Sequence, residues 1–588
     1  MKPALNFSRL DFIIAAFALF ACCTASAFAD TPDLILHSGK IITVDKAFSI
    51  KEAIAVKDGS ILAVGTSADI LKLQGNTTKV IDLKGKTVLP GLMDSHTHPV
   101  GAAMHEYDHD IPDMQSIADV LAYVKARTKV LEKGEWVFIS QVFITRLAER
   151  RYPTREELDS AAPENPVVFR TGPDASLNSL AMKLSGIDKD FKDPAGGEGK
   201  AERDEKGEPT GILRNLGGAI KYQSPKSGKT AGQQDRYRRV LDLFKDYNAV
   251  GLTSIADRDC GKGNIDLYQK MLDNGDLPLR VGSSRSLGTG GNPDAIRFHI
   301  KTIAEEPQAP GKPGRSDMLK IVGLKIYLDG GMLTGSARMR QPWGLSKIYS
   351  IDDPNYKGVF RTVPEKLAPI IAEAVEHKLQ FTAHSVGDGA VHALIEAYEE
   401  VNKTKPVRET RPCITHCNFM SAEAIERMKK IGIVADIQPA WLYLDAATLN
   451  KQFGDERLRY FQPLKSLFES GVTVGGGSDH MQKIGSLRSV NPYNPWLGMW
   501  ITIARKPRNY EGVFHAEESL SREQAIRFYT INNAYLLFND DITGSLEKGK
   551  RADLIIIDRD ILTCKVDDIK DTQVQATYLE GKVVYEKK

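Results

Sequence analysis

The sequence predicts an α/β protein: a (β/α)8 TIM-like barrel, a small β-sandwich formed by both chain ends, and an α/β insertion after barrel strand 1. Three observations lead there. Through the middle of the chain, short apolar runs alternate with segments of helical periodicity, the pattern of a parallel sheet covered by helices. Both ends carry short alternating strands with Gly-containing turns, too few on either side to bury a sheet face alone. The stretch 134–216 has strands of its own, a Gly- and charge-rich loop at 193–208 and a turn at Gly207-Glu-Pro-Thr-Gly211, outside the barrel rhythm.

The first residues differ from all the rest. Lys2 and Arg9 precede the apolar stretch Phe12 to Phe20, and Ala27-Phe28-Ala29 offers small residues at the two positions a signal peptidase reads. Residues 1–29 are therefore expected to be a secretory signal cut before Asp30, leaving a periplasmic or secreted protein. The alternative of an N-terminal anchor meets an apolar stretch shorter than the ~20 residues that span a bilayer. Leu19-Phe-Ala-Cys22 offers a lipoprotein cleavage box, which bulky Phe20 fits poorly. No later segment is long and apolar enough to cross a membrane.

Residues 30–87 form the first part of the expected sandwich, with Leu34-Ile-Leu, Lys40-Ile-Ile-Thr-Val, Ala53-Ile-Ala-Val and Ile61-Leu-Ala-Val as strands. Residues 542–588 repeat the style in Ala552-Asp-Leu-Ile-Ile-Ile-Asp and Val574-Gln-Ala-Thr-Tyr-Leu, so the two ends complete each other's core. Between them lie barrel strand 1 with its helix at 88–133, the insertion at 134–216 and the rest of the barrel at 217–541. Candidate strands occupy 88–94, 166–171, 250–256, 278–284, 319–328, 379–384, 412–416, 433–438 and 472–478. Giving 166–171 to the insertion leaves the eight that a barrel needs. Helices are expected at 115–132, 231–248, 263–273, 364–377, 389–402, 421–430 and 521–537.

With 42% hydrophobic and 26% charged residues the composition excludes disordered and fibrous classes. A net charge of +2 gives no case for nucleic acid as a partner. Cys22 and Cys23 leave with the signal, and Cys260, Cys413, Cys417 and Cys564 are too few for a disulfide scaffold. Cys413 and Cys417 share one predicted strand, about 13 Å apart, beyond disulfide reach.

In a (β/α)8 barrel the chemistry gathers where strand C-termini meet. Strand 1 ends in His96-Thr-His98, two imidazoles that the period of two turns to one face. Strand 5 ends in His384, strand 6 in His416 and strand 8 in Ser478-Asp479. Strand 4, Val322-Gly-Leu-Lys325-Ile-Tyr-Leu-Asp329, buries a lysine that must be paired, snorkel to water or be chemically converted. His105 and His109 are rival ligands lying beyond the strand end. Asp329, Arg338 and His480 are candidates to orient substrate, and Asp388 to brace a ligand histidine. The segment 333–360, holding Trp343, reads as a lid or a surface excursion, and Trp496, Trp500 and Arg505 as a stripe of core.

These residues, with His384-Ser-Val-Gly-Asp388 and Gly544-Ser-Leu-Glu-Lys-Gly-Lys-Arg-Ala-Asp553, resemble the amidohydrolase superfamily over nearly all of the mature chain. The branch they resemble is amidohydrolase family 3, which includes N-substituted formamide deformylases. The resemblance implies two zinc ions bridged by a carboxylated Lys325, one ion on His96, His98 and Asp479, the other on His384 and His416. The alternative is a mononuclear site with Lys325 in a salt bridge to Asp329 or Asp388. A metal-activated hydroxide would then attack an amide, formamide or N-acyl compound, with Asp479 as proton carrier. The partners implied are a small-molecule amide and no nucleic acid; a homo-oligomer is left open. Rival readings are a metal-dependent esterase or deaminase, or a non-catalytic binding protein on the same barrel. Two departures touch the substrate pocket: Gly172-Pro-Asp-Ala-Ser stands where the family usually has a histidine, and Asn215 where it has an acidic residue.

Overall fold

The computed structural model describes residues 31–140, 142–194 and 199–588. The expected signal at 1–29 lies outside them. Eight parallel strands form one sheet in chain order: Leu92–Thr97, Leu252–Cys260, Arg280–Ser286, Leu319–Tyr327, Gln380–Ser385, Cys413–His416, Val434–Ile437 and Val474–Gly476. We number these barrel strands 1 to 8. The ring closes just beyond strand 8, where Asp479 N donates to His96 O and His98 N to His480 O, both at 2.8 Å. A Cβ at Gly477 would stand 2.5 Å from His96 N, so only glycine lets strand 8 come this close to strand 1.

Apolar faces of helices such as Gln233–Ala249, Lys262–Asp273 and Asp388–Asn402 cover the outside of the ring. Inside, part of the core is polar: Arg258 is fully buried and donates from Nη1 to Ser284 Oγ at 2.8 Å and to Gln380 Oε1 at 3.0 Å.

The run predicted as one strand at 88–94 is two. Thr87–Pro90 belongs to the sandwich and pairs with Leu554–Ile557, while Leu92–Thr97 belongs to the barrel. Gly91 marks the switch, its N bonded to Asp553 O on the sandwich side and the next N, of Leu92, to Gly251 O on the barrel side. The helix predicted over 521–537 is broken into Arg522–Phe528 and Ile531–Leu536. Tyr529 O is taken by Met93 N of barrel strand 1 at 2.8 Å, which diverts an acceptor the helix would have used.

The chain ends form two packed sheets. One runs Ser60–Gly65, Ala53–Lys57, Leu34–His37, Lys79–Asp82. The other runs Lys582–Glu586, Val574–Leu579, Leu554–Ile557, Thr87–Pro90, Lys40–Ile42, Ile50–Lys51. Leu36, Ile41, Ile54, Val88 and Leu554 fill the space between them. The insertion after barrel strand 1 is a five-stranded sheet built from Val137–Ser140, Val167–Thr171, Asp174–Leu177, Lys200–Arg203 and Pro209–Arg214. Cys260, Cys413, Cys417 and Cys564 are free thiols, the first three buried. Among the described residues no helix is long and apolar enough to cross a membrane.

Candidate metal centre

His96, His98, Lys325, His384, His416 and Asp479 all line one cavity of about 530 Å³ at the C-terminal mouth of the barrel. The His96 ring lies 5.2 Å from that of His98 and 5.1 Å from that of His416, which is 4.5 Å from His384. Asp479 Oδ1 stands 3.5 Å from His96 Nε2 and 3.2 Å from His98 Nε2. One donor atom from each of His96, His98 and Asp479 falls within 4.8 Å of the others.

The surroundings fix which nitrogen each histidine offers. His96 Nδ1 donates to Asp436 Oδ2 at 3.1 Å and His416 Nδ1 to Gln438 Oε1 at 2.7 Å, so Nε2 of each carries the free lone pair. Gln438 in turn donates from Nε2 to Asp436 Oδ1 at 3.0 Å, joining the two supports. His384 Nε2 donates to Gly330 O at 3.1 Å, which leaves its Nδ1. Burial, with Lys325 nearby, lowers the pKa of His384 to about 3, and burial holds His96 and His416 well below the ordinary imidazole value. Against the pull of desolvation, the Asp479 carboxylate keeps His98 above it. His416 and Asp479 hold φ of 81° and 55°, a left-handed backbone that costs a non-glycine residue of order 1–3 kcal/mol and gathers at functional sites.

Lys325 is buried, and its ammonium makes neither hydrogen bond nor ion pair with the described residues; the salt bridge to Asp329 or Asp388 does not form. Burial lowers its pKa to about 8. Asp388 accepts from Arg340 N at 2.8 Å, so the carboxylate bracing a cluster histidine is Asp436 instead. Asp329 lines the cavity, but its carboxylate is held by the N–H groups of Arg338, Val386 and Gly387 at 2.9–3.0 Å. Arg338 and His480 are turned away from the cavity. The first lies over the Phe360 ring at 5.0 Å, and the second is engaged by Tyr247 Oη at 2.7 Å and by Gln482 O and Lys483 O at 2.8 Å. His105 and His109 bond to Ser140 and Tyr123, away from the cluster. Trp343 is buried against Tyr349 and Phe453, so the segment 333–360 is packed at its centre, while Leu333 and Thr334 at its start line the cavity. Trp496 and Trp500 are core.

Sequence reading passed over Asp436 and Gln438, although a carboxylate inside the apolar strand Val434–Ile437 is the kind of signal that singled out Lys325. It also passed over the outer wall: Phe143 and Arg170 come from the insertion, Arg361 from the loop after barrel strand 4 and Trp441 from the first turn of the helix Pro439–Phe453, none of which barrel-strand periodicity reaches.

Inward-facing nitrogen lone pairs, a carboxylate and a buried lysine without a counter-ion are a donor set that fits divalent metal. A closed parallel barrel carrying such a set at its strand C-termini defines the class of metal-dependent barrel hydrolases. A model of the amidohydrolase family matches residues 79–585, and the chain belongs to that family. It is 28% identical to the N-substituted formamide deformylase of Arthrobacter pascens, over 94% of this chain and 98% of that one. An uncharacterized metal-dependent hydrolase from Pyrococcus horikoshii superposes with a TM-score of 0.65 at 21% identity, over 91% of this chain and 99% of that one. Atrazine chlorohydrolase TrzN from Arthrobacter aurescens, complexed with zinc, shares the fold with a TM-score of 0.50 at 16% identity, over 94% and 95%.

Proposed function

We propose that this chain is an exported amidohydrolase that cleaves a non-peptide C–N bond of a small amide, formamide or N-acyl compound. The observation that carries the reading is the meeting of His96 Nε2, His98 Nε2 and Asp479 Oδ1 within 4.8 Å at the floor of a closed barrel mouth. The name of the A. pascens relative agrees with it. His96, His98 and Asp479 would hold one zinc ion, His384 and His416 a second, with carboxylated Lys325 between them. Bound metal supplies Lewis acidity toward a carbonyl and brings the pKa of water toward ~7.

The chain's own side chains do the rest. Asp479, the one carboxylate in the cluster, takes the proton released by water and delivers it to the leaving nitrogen, so the products are an acid and an amine. Phe143, Leu333, Trp441 and Met481 line the cavity and keep bulk water from the reacting carbon. Lys325 meets the needs of carboxylation: burial disfavours its charged form, and a neutral amine is the form that adds to CO2. Asp436 fixes the tautomer of His96.

The test is metal analysis and intact mass of the purified mature protein under conditions that keep a CO2 adduct, together with turnover of a panel of small amides. Two equivalents of metal, an adduct on Lys325 and loss of turnover on chelation are expected. A Lys325→Ala variant with full turnover and unchanged metal content would remove the bridging role. Asp436→Asn is expected to lower metal affinity by about 10–100-fold with the fold intact. Competition with a fluorescent chelator measures this, and unchanged affinity would count against the bracing role.

A further inference from the structure

Two guanidinium groups face the catalytic cavity without a counter-ion. Arg170, on the insertion strand Val167–Thr171, and Arg361, in the loop after barrel strand 4, both line it. Neither pairs with a carboxylate among the described residues. Among the described residues the only side-chain hydrogen bond of Arg170 runs from Nε to Gly172 O at 3.3 Å, and Arg361 lies over the Tyr327 ring at 4.8 Å with no side-chain hydrogen bond. Arginines close by behave differently: Arg214 is bound to Asp174 at 2.9 Å and Glu202 at 2.7 Å, and Arg146 to Asp445 at 2.7 Å.

The cavity has no acid to spare for them. Asp329 is occupied by three backbone N–H groups and Asp479 belongs to the histidine cluster. Desolvation and the charge of Arg361 both press on Arg170, lowering its pKa, so the pair is held together at a cost that an incoming anion would relieve. The Arg170 guanidinium packs closely on backbone: a Cβ at Gly217 would stand 3.0 Å from its Nη2. The Tyr327 ring spans from Arg361 to the cluster, with its centre 5.5 Å from the His384 ring and 5.5 Å from Lys325 Nζ. A group gripped at Arg361 is thus one aromatic ring away from the metal-site nitrogens. Phe143, Trp441 and Met481 supply apolar lining to the same cavity.

We infer that the substrate is an amide that also bears an anionic oxyacid group, bound by Arg170 and Arg361, with a hydrocarbon or aromatic portion against Phe143 and Trp441. This rests on the amide-hydrolase reading above and narrows it to compounds of the N-acyl amino acid type or their phosphate-bearing counterparts. Guanidinium forks bind carboxylate and phosphate bidentately, so both anions share the chemistry.

Titration calorimetry of the zinc-loaded mature protein with 3-phenylpropanoate, phenethyl phosphate and the neutral, non-hydrolysable 3-phenylpropan-1-ol tests it. At least one anion is expected to bind about tenfold or more tighter than the neutral alcohol, as charge-assisted hydrogen bonds allow. The preferred anion tells carboxylate from phosphate. Arg361→Gln and Arg170→Gln, the first at an exposed position, are each expected to lower that preference about tenfold. Equal affinities for all three probes would overturn the inference. So would a preference left intact in both variants, because the anion would then sit on metal alone. Binding is read without turnover, so the two readings fail separately. Hydrolysis of neutral amides with no anion preference defeats only the inference. Arginine-dependent anion binding without hydrolysis of any amide defeats only the hydrolase reading.

Discussion

Asp479→Asn is expected to lower kcat/KM for amide hydrolysis by about 10³-fold, the scale of losing a positioned acid–base group, and to reduce bound metal. The substitution keeps shape and removes charge. Asparagine can still sit at φ 55°, with its N on His96 O at 2.8 Å and its O accepting from Asn491 Nδ2 at 2.9 Å, so the ring closure survives. What goes is the carboxylate 3.2 Å from His98 Nε2 and 3.5 Å from His96 Nε2. His96→Ala is the companion variant: it deletes a donor and leaves Asp436 buried with one partner fewer. Metal content and amide turnover should fall in both while the far-UV circular dichroism stays that of the parent. Full activity in both variants would end the assignment of the centre.

Asp553→Ala is expected to destabilise the protein by about 3–5 kcal/mol, the cost of stranding one member of a buried ion pair. Arg280 rises from barrel strand 3 and donates to Asp553 through Nε at 2.6 Å and Nη2 at 3.0 Å, with both side chains almost wholly buried. Glu580 adds a third bond at 3.1 Å. Asp553 precedes the sandwich strand Leu554–Ile557, so the pair ties barrel to sandwich. Desolvation opposes the Arg280 charge and Asp553 sustains it, holding its pKa above the ordinary guanidinium value. Urea denaturation of the single variant and of Arg280→Met with Asp553→Leu checks this. The double variant should recover much of the loss, since no buried charge is left unpaired: Glu580 is partly exposed and keeps Arg551 Nε at 3.7 Å. A single-variant loss below about 1 kcal/mol, the range of an exposed ion pair, would contradict the clamp.

The barrel and the metal-ligand candidates were legible because both rest on local rules. Strand C-termini are where functional side chains gather, and His96, His98, His384, His416 and Asp479 stand at or just past such ends. Lys325 was legible because a lysine in an apolar strand needs a reason. What the sequence hid depends on partners distant along the chain. The helix over 521–537 breaks where Tyr529 O meets Met93 N, and no local propensity announces that bond. Arg338 and His480 sit near strand ends in sequence, yet neighbours from elsewhere, Phe360 and Tyr247, draw them off the cavity. The helix Pro293–Ala304 was missed although its signs are local: Asn292 caps it through Ala295 N, and proline opens it.

The sandwich has a consequence for biogenesis. Thr87–Pro90 pairs with Lys40–Ile42 on one side and finds its other neighbour in Leu554–Ile557, and Lys40 meets its counter-ion in Asp560, 520 positions later. Until the last stretch of polypeptide has been synthesised, the early strands keep an unpaired edge and an uncovered apolar face. Chains cut short before residue 550 should therefore aggregate or be degraded even with every barrel strand and every cluster side chain in place.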